Sequence, residues 1–483
     1  MSVIVEYLFI VLLFFGGYIF LGSCGVHRNA RIIFALMAGI CIFIFIVYLQ
    51  IVTHIATYSL VTLAIFVLLS VGLLLRGRFY KEIDKLDFLY LLLFASVILS
   101  VVLVCNNISL VKYHFDSLRY LIVSSLIASD NFDALTTNLL LKRLSSVAIL
   151  NSPAHLSGNF YFPALLPVMA INLMAIIFYL VFTGLWRVTE AWSAYLLAAA
   201  SVILLLSINR FVWNGFYLND HLLEALCLLT VVGAGWLGAL RALPTQTTSV
   251  LQAVATIGVV MSRPEGFIMA GLALLPTLLC EELPRKRRVQ LACVWGLTVV
   301  VQQAAVLIGY MGLGRHLPHS AVQTLALGVA ISAFSPALLL NWITRHAYGI
   351  LVAAELSLWL MLAALVASDW QMFRASVQAT AENVVHGQGG WGVSIMVLAG
   401  LVAAAIIFTD APARIFIRFP VTTFVPIAFI LAYLREDSYR VGITDSLNRM
   451  IFHIVPMAVL FLASAATSPH FALRLWKKSS VHG

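Results

Sequence analysis

The chain has 483 residues, 62% of them hydrophobic and 10% charged, where soluble globular proteins are about 45–50% apolar and about 25% charged. With a mean hydropathy of +1.02, this excludes a set of soluble domains and describes a polytopic membrane protein. The formal net charge of +9 does not point to nucleic acid, because Lys and Arg sit in short segments between apolar runs and report topology instead.

The apolar runs are roughly 16–25 residues long, enough to cross a hydrocarbon core about 30 Å thick at about 1.5 Å per helical residue. Backbone polar groups in lipid must be satisfied within the segment, so the spans are helices. The first four are predicted at 5–22, 31–52, 57–75 and 87–106. No basic stretch precedes Tyr7–Leu21 and further spans follow it, so it reads as a retained helix and not a cleaved signal. The long segment 107–161 comes next. Within it Phe115, Leu118, Ile122 and Leu126 share one helical face, and 135–144 repeats the pattern, ending in Lys142 and Arg143. Both read as interfacial helices lying along the membrane surface. Further spans are predicted at 162–186, 193–208, 219–240, 249–262, 265–280, 289–310, 321–340, 347–368, 391–408, 419–434 and 450–467, which makes about 15 crossings.

The densest basic loops, Arg76/Arg78/Lys81/Lys85 and Arg285/Lys286/Arg287/Arg288, and the tail with Arg474, Lys477 and Lys478, belong in the cytoplasm. All three share one side only if 249–280 is two short helices broken at Ser262-Arg263-Pro264-Glu265-Gly266. Proline interrupts the helix ladder and glycine accepts unusual backbone angles, as a reversal there needs. External segments are then 107–161, 209–219, the 262–266 corner, 311–320, 369–390 and 435–449, and most ionisable residues collect in them. Any active or binding site faces outward. The six cysteines lie in or beside apolar segments and form neither a disulfide framework nor a CxxC metal motif.

Four places carry candidate chemistry. Asp116 opens the amphipathic helix of the long loop, where a carboxylate beside apolar surface suits a general base for an acceptor hydroxyl; the plainer alternative is a helix-start carboxylate stabilised by the macrodipole. Asn219 and Asp220 stand at the water-facing mouth of the 219–240 helix, with Glu224 on the same face one turn deeper. An intramembrane carboxylate is costly and marks a functional site, the alternative being a pair with a neighbouring helix. At the 262–266 corner, Arg263 offers planar donors suited to phosphate, and Glu265 either orients them or simply fixes the turn. Arg440 and Arg449 could clamp a lipid phosphate, with His453 one turn beyond Arg449; the alternative is snorkelling at the span end. His316 and His319 flank Pro318, which opposes a shared helical face, and they receive no role.

These features resemble the GT-C superfamily of integral membrane glycosyltransferases. The residues that carry the resemblance are Asp116 early in the first long external loop, the interfacial helices there, Phe162-Pro163 leading into the next span, Asn219-Asp220, Arg263-Pro264-Glu265-Gly266, and Asn448-Arg449 to Pro456. It covers residues 87–467 as a layout, leaving 1–86 as additional N-terminal transmembrane helices and 468–483 as a cytoplasmic tail; family members usually place the acidic loop after their first span, whereas here three spans precede 87–106. The resemblance implies an all-α, GT-C-like bundle in the cell membrane that moves a sugar from a polyprenyl-phosphate donor to a glycan or lipid acceptor on the extracytoplasmic face. Its partners would be that donor, the acceptor and membrane lipids, and no nucleic acid. Asp116 would act as base, with Asp220 and Glu265 assisting or holding a metal. Arg263, Arg440 and Arg449 would neutralise the leaving phosphate, and Asn219 and Glu224 would contact substrate. No cofactor is implied with certainty; a divalent metal ion is left open. An O-antigen polymerase or ligase, and a transporter or flippase of lipid-linked glycan, are the competing readings.

Overall fold

A computed structural model describes residues 2–76, 85–108, 115–131, 144–186, 188–263, 266–281, 283–312, 326, 329–330, 333, 341–408, 414–434, 438–443 and 445–465. The described chain is helical, with no strand among the described residues. Ten of its helices are long and apolar enough to cross a membrane. They are α1 (Ser2–Ser23), α2 (Arg28–Thr53), α3 (Ser59–Arg76), α4 (Lys85–Ile108), α7 (Leu165–Leu185), α10 (His221–Ala239), α13 (Arg285–Gly312), α15 (Ala347–Ser368), α18 (Ile415–Leu434) and α19 (Ser446–Ala465). Between them come α5 (Phe115–Ala128), α6 (Ser146–Asn151), α8 (Ala191–Leu206), α9 (Asn209–Asn214), α11 (Thr245–Ser262), α12 (Gly266–Leu279), α14 (Asn341–Arg345), α16 (Trp370–Val384) and α17 (Val393–Phe408).

Ten of the 15 expected spans therefore coincide with crossing-length helices. The spans expected at 193–208, 265–280 and 391–408 correspond to α8, α12 and α17, each shorter than a full crossing. The one expected at 249–262 is α11, which carries Thr247, Thr248, Ser249, Gln252 and Thr256, all buried against neighbouring helices. Its polar side chains face protein and lower its hydropathy. Of the span expected at 321–340 only residues 326, 329–330 and 333 are described, and of the second interfacial helix expected at 135–144 only Leu144.

The centre of the bundle is α10, nearly every residue of which is buried. It packs against α7, α11, α12, α18 and α19. The N-terminal helices are not peripheral: α2 packs on α7, α11 and α13 as well as on α1. By contrast α3, α4, α15 and α17 leave rows of large apolar side chains exposed, among them Leu68, Leu75, Phe88, Leu93, Leu360 and Val393. That is the surface a lipid-facing rim presents.

Hydrogen bonds sort the helix ends into two groups. At one end Glu6 accepts from the Ala164 amide and from Asn106, Ser59 donates to the Ser152 carbonyl, Thr57 donates to Asp130, and the Tyr48 hydroxyl lies 3.2 Å from both the Leu144 and Met261 carbonyls. At the other end Gln246 donates to the Cys24 carbonyl, the His27 amide to Thr247, and Arg28 pairs with buried Asp87 at 2.8 Å. Arg288, from the Arg285–Arg288 cluster, donates to the Leu278 carbonyl at this second end.

The corner at 263 reverses the chain. Gln252 of α11 donates to Thr277 of α12 at 2.8 Å, each about the same distance from the turn, so the two helices run antiparallel as a hairpin. The hairpin is tight because Gly266 sits where a Cβ would lie 2.1 Å from the Val259 carbonyl oxygen. The Arg285–Arg288 cluster thereby returns to the end opposite Arg263, as the distribution of basic residues requires.

Candidate functional site

The start of α10 gathers most of the candidate residues. Asn219 is buried; its amide nitrogen donates to Asn214 at 3.1 Å and its oxygen accepts the His221 backbone N–H at 2.9 Å. This pins α9 to the mouth of α10. Asp220, also buried, accepts from the Ser146 hydroxyl and the Val147 backbone N–H, both at 2.8 Å. Those contacts tie the first turn of α6, at the end of the long loop, to α10. Burial pushes the Asp220 carboxyl above its ordinary range, while the Val147 and Ser146 donors and the Arg263 charge pull it back. Asp220 is thus a buried brace between two helices, with its Oδ1 already engaged.

One residue after Asp116, the Ser117 hydroxyl donates 3.0 Å to the Leu218 carbonyl. The start of α5 therefore lands beside the Asn219-Asp220 mouth. The Asp116 side chain lies outside the described residues, as do Glu265, Pro264, His316 and His319. The face of α5 that packs on protein carries Ser117, Tyr120, Val123, Ser124 and Ile127, whereas Leu118 and Ile122 are about half exposed, at 53% and 49%. Of the apolar stripe legible in the sequence, Leu118 and Ile122 face outward while Leu126 packs against the core.

Beyond the mouth lies a cluster that local spacing does not reveal. His221 and Glu224 of α10 meet His453 of α19, at 1%, 1% and 2% relative exposure. His221 Nδ1 is 2.7 Å from His453 Nε2, and that nitrogen is 3.3 Å from a Glu224 carboxylate oxygen. The Arg263 guanidinium lies 3.2 Å from the same His221 Nδ1. Charges on Arg263, Arg449 and Arg210 all act on the His221 ring. Arg449 stands one helical turn before His453 on α19 and is half-buried. The three ligand atoms of His221, Glu224 and His453 fall within 4.8 Å of one another, a group able to hold a metal ion. Arg440 is exposed on the 438–443 stretch, where its backbone N–H donates to Asp445.

A clasp made mostly of backbone contacts covers this end. Buried Arg210 donates to the Gly389 carbonyl at 2.6 Å and the Ile443 carbonyl at 2.8 Å, and its guanidinium lies 4.8 Å from the Trp213 ring and 5.7 Å from the Trp391 ring. Burial lowers its pKa to about 10. Trp391 donates to Asn448, which in turn donates to the Gly442 carbonyl. Asp445 caps α19 by accepting the Leu447 backbone N–H at 3.0 Å. The clasp fixes where α19 begins, and with it the depth of Arg449 and His453.

Of the residues singled out in the sequence, Asn219, Asp220, Glu224, Arg263 and Arg449 come to one end of the bundle, around α10 and α19. His221 and His453 complete the cluster. Searches of protein-family models, curated proteins and solved structures found no match to this chain.

Proposed function

We propose that the protein is a membrane glycosyltransferase that moves a sugar from a polyprenyl-phosphate donor to a glycan or lipid acceptor at the end of the bundle holding Arg263. The reading is supported chiefly by one convergence: the start of α5 abuts Leu218, next to the mouth where Arg263, Glu224 and Arg449 gather around α10. Breaking the bond between an anomeric carbon and a phosphate develops negative charge on the leaving oxygen, and fixed guanidinium groups stabilise it best where water is scarce. In this scheme Arg263 and Arg449 receive the phosphate, the donor's hydrocarbon tail lies along the exposed apolar rim, and Asp116 removes the acceptor hydroxyl proton as the new bond forms. Asp220 holds the α6 and α10 segments in register, and Arg440, exposed above them, attracts the anionic headgroup.

The assay is transfer from a polyprenyl-phosphate sugar by the purified protein in lipid nanodiscs. Asp116→Asn and Arg263→Ala should each lower turnover by about two orders of magnitude or more, the scale on which general bases and charge-stabilising groups act. Full turnover by Asp116→Asn would overturn the assignment of the base. The α11–α12 hairpin also suits a carrier, because transporters bind substrate at broken helices. Substrate uptake into sealed vesicles with no glycan product would favour that reading.

A further inference from the structure

We infer that His221, Glu224 and His453 form a divalent transition-metal site whose fourth ligand is a phosphate oxygen shared with Arg263. The first part stands on the geometry of three side chains, and the identity of the fourth ligand rests on the transferase reading above.

The arrangement of the three side chains argues for an ion. The nitrogen His453 Nε2 is 2.7 Å from His221 Nδ1 and 3.3 Å from the Glu224 oxygen. His221 Nδ1 is also approached at 3.2 Å by the Arg263 guanidinium, which is purely a donor. The three potential ligand atoms lie within 4.8 Å of one another in a fully buried cluster at the start of α10, where polar groups are costly unless something binds them together. Two imidazoles and a carboxylate are a common set for a catalytic zinc ion with one open position. Metal–ligand bonds of about 2.0–2.2 Å in a tetrahedron set ligand atoms about 3.4 Å apart. Of the three edges, the one from His453 to Glu224 already has that length, the nitrogen–nitrogen edge needs to open by less than an ångström, and the third lies within 4.8 Å.

The chain supplies the ligands from two directions. His221 and Glu224 are three residues apart on α10 and so lie on one face, while His453 comes from α19, which packs along α10. Behind Glu224 and His453, Ile268, Met269, Phe424, Leu431 and Met450 line a gap of about 10 Å³. Such a space is at the lower limit for even one water, so the wall is dry on that side. Arg263 then selects the last ligand. A guanidinium this close to a dication is repelled unless an anion sits between them, and a phosphate oxygen bridging metal and arginine satisfies both charges.

The test uses the full-length protein in detergent, stripped with chelator and titrated with Co²⁺. The expected result is one Co²⁺ per chain, visible d–d bands of a four- or five-coordinate ion, and displacement by Zn²⁺. His453→Gln and Glu224→Gln should weaken binding at least tenfold, a loss of about the size that even an outer-shell partner can cause. His155→Gln, in the 3₁₀ turn after α6, should bind as the parent does. X-ray absorption on the parent loaded with Zn²⁺ should give imidazole nitrogen and oxygen neighbours, and it does not depend on any variant folding. Absence of stoichiometric binding, a sulfur or all-oxygen shell, or unchanged binding by His453→Gln would overturn the site. Adding inorganic phosphate should shift the Co²⁺ bands in the parent and not in Arg263→Ala; equal shifts in both would overturn the shared fourth ligand. Metal bound as expected with no sugar transfer would end the transferase reading and leave the ion site standing, while sugar transfer with no stoichiometric metal binding would do the reverse.

Discussion

Asp220 separates two roles that its position in the sequence leaves merged. A carboxylate at the mouth of a membrane helix reads as chemistry, yet its Oδ1 is held by Ser146 and the Val147 amide. Removing it strands two buried donors, which costs about 1–3 kcal/mol. Asp220→Ala should therefore lower the thermal midpoint in detergent, with Asp220→Asn losing less because it keeps an acceptor. A variant with unchanged stability but no activity would instead give Asp220 a direct part in the reaction. Glu224 was legible as a cost demanding a partner, and the structure supplies His453. The two histidines were not legible as a pair. They are separated by more than two hundred positions, and nothing in the local spacing of either announces the other. The available clue was weak: each stands within one turn of a charged residue near a span end.

Among elements, helix existence was far more readable than helix depth. Long apolar runs dictate spans through the thickness of the hydrocarbon core, and the Arg263-Pro264-Glu265-Gly266 corner announced its reversal through residues with restricted backbone preferences. What periodicity could not separate was a face that meets protein from one that meets lipid, because both are apolar; α5 buries Tyr120, Val123 and Ile127 and leaves Leu118 outward. In α11 the polar residues turned inward, which only tertiary packing decides. Helices α1 and α2 approach each other backbone to backbone. A Cβ on Gly17 would lie 1.9 Å from the Ala35 carbonyl oxygen, and one on Gly39 would lie 1.8 Å from that of Leu13. Backbone meets backbone there, as small residues permit in membrane helix pairs. Gly39→Leu should destabilise the protein by about 1–3 kcal/mol, the usual cost of overpacking, while Gly72→Leu, with nothing within 4 Å, should leave the thermal midpoint unchanged.

For the whole molecule, the two groups of helix ends make a statement about sidedness. Ser157 lies at the end with the candidate site and Lys286 at the opposite end. In a background where exposed Cys293 is replaced by serine, Ser157→Cys and Lys286→Cys should react with a membrane-impermeant maleimide from opposite faces of sealed vesicles. Labelling of both from one face would mean that 245–279 crosses as a single helix. The intimacy of α1 with α2 also bears on biogenesis. Only four residues join them, so once both have left the ribosome they can close on each other in the bilayer before any later segment arrives. The nascent pair then offers the flank of α2 as a ready-made wall, and α7, α11 and α13, synthesised later, dock onto a surface already formed.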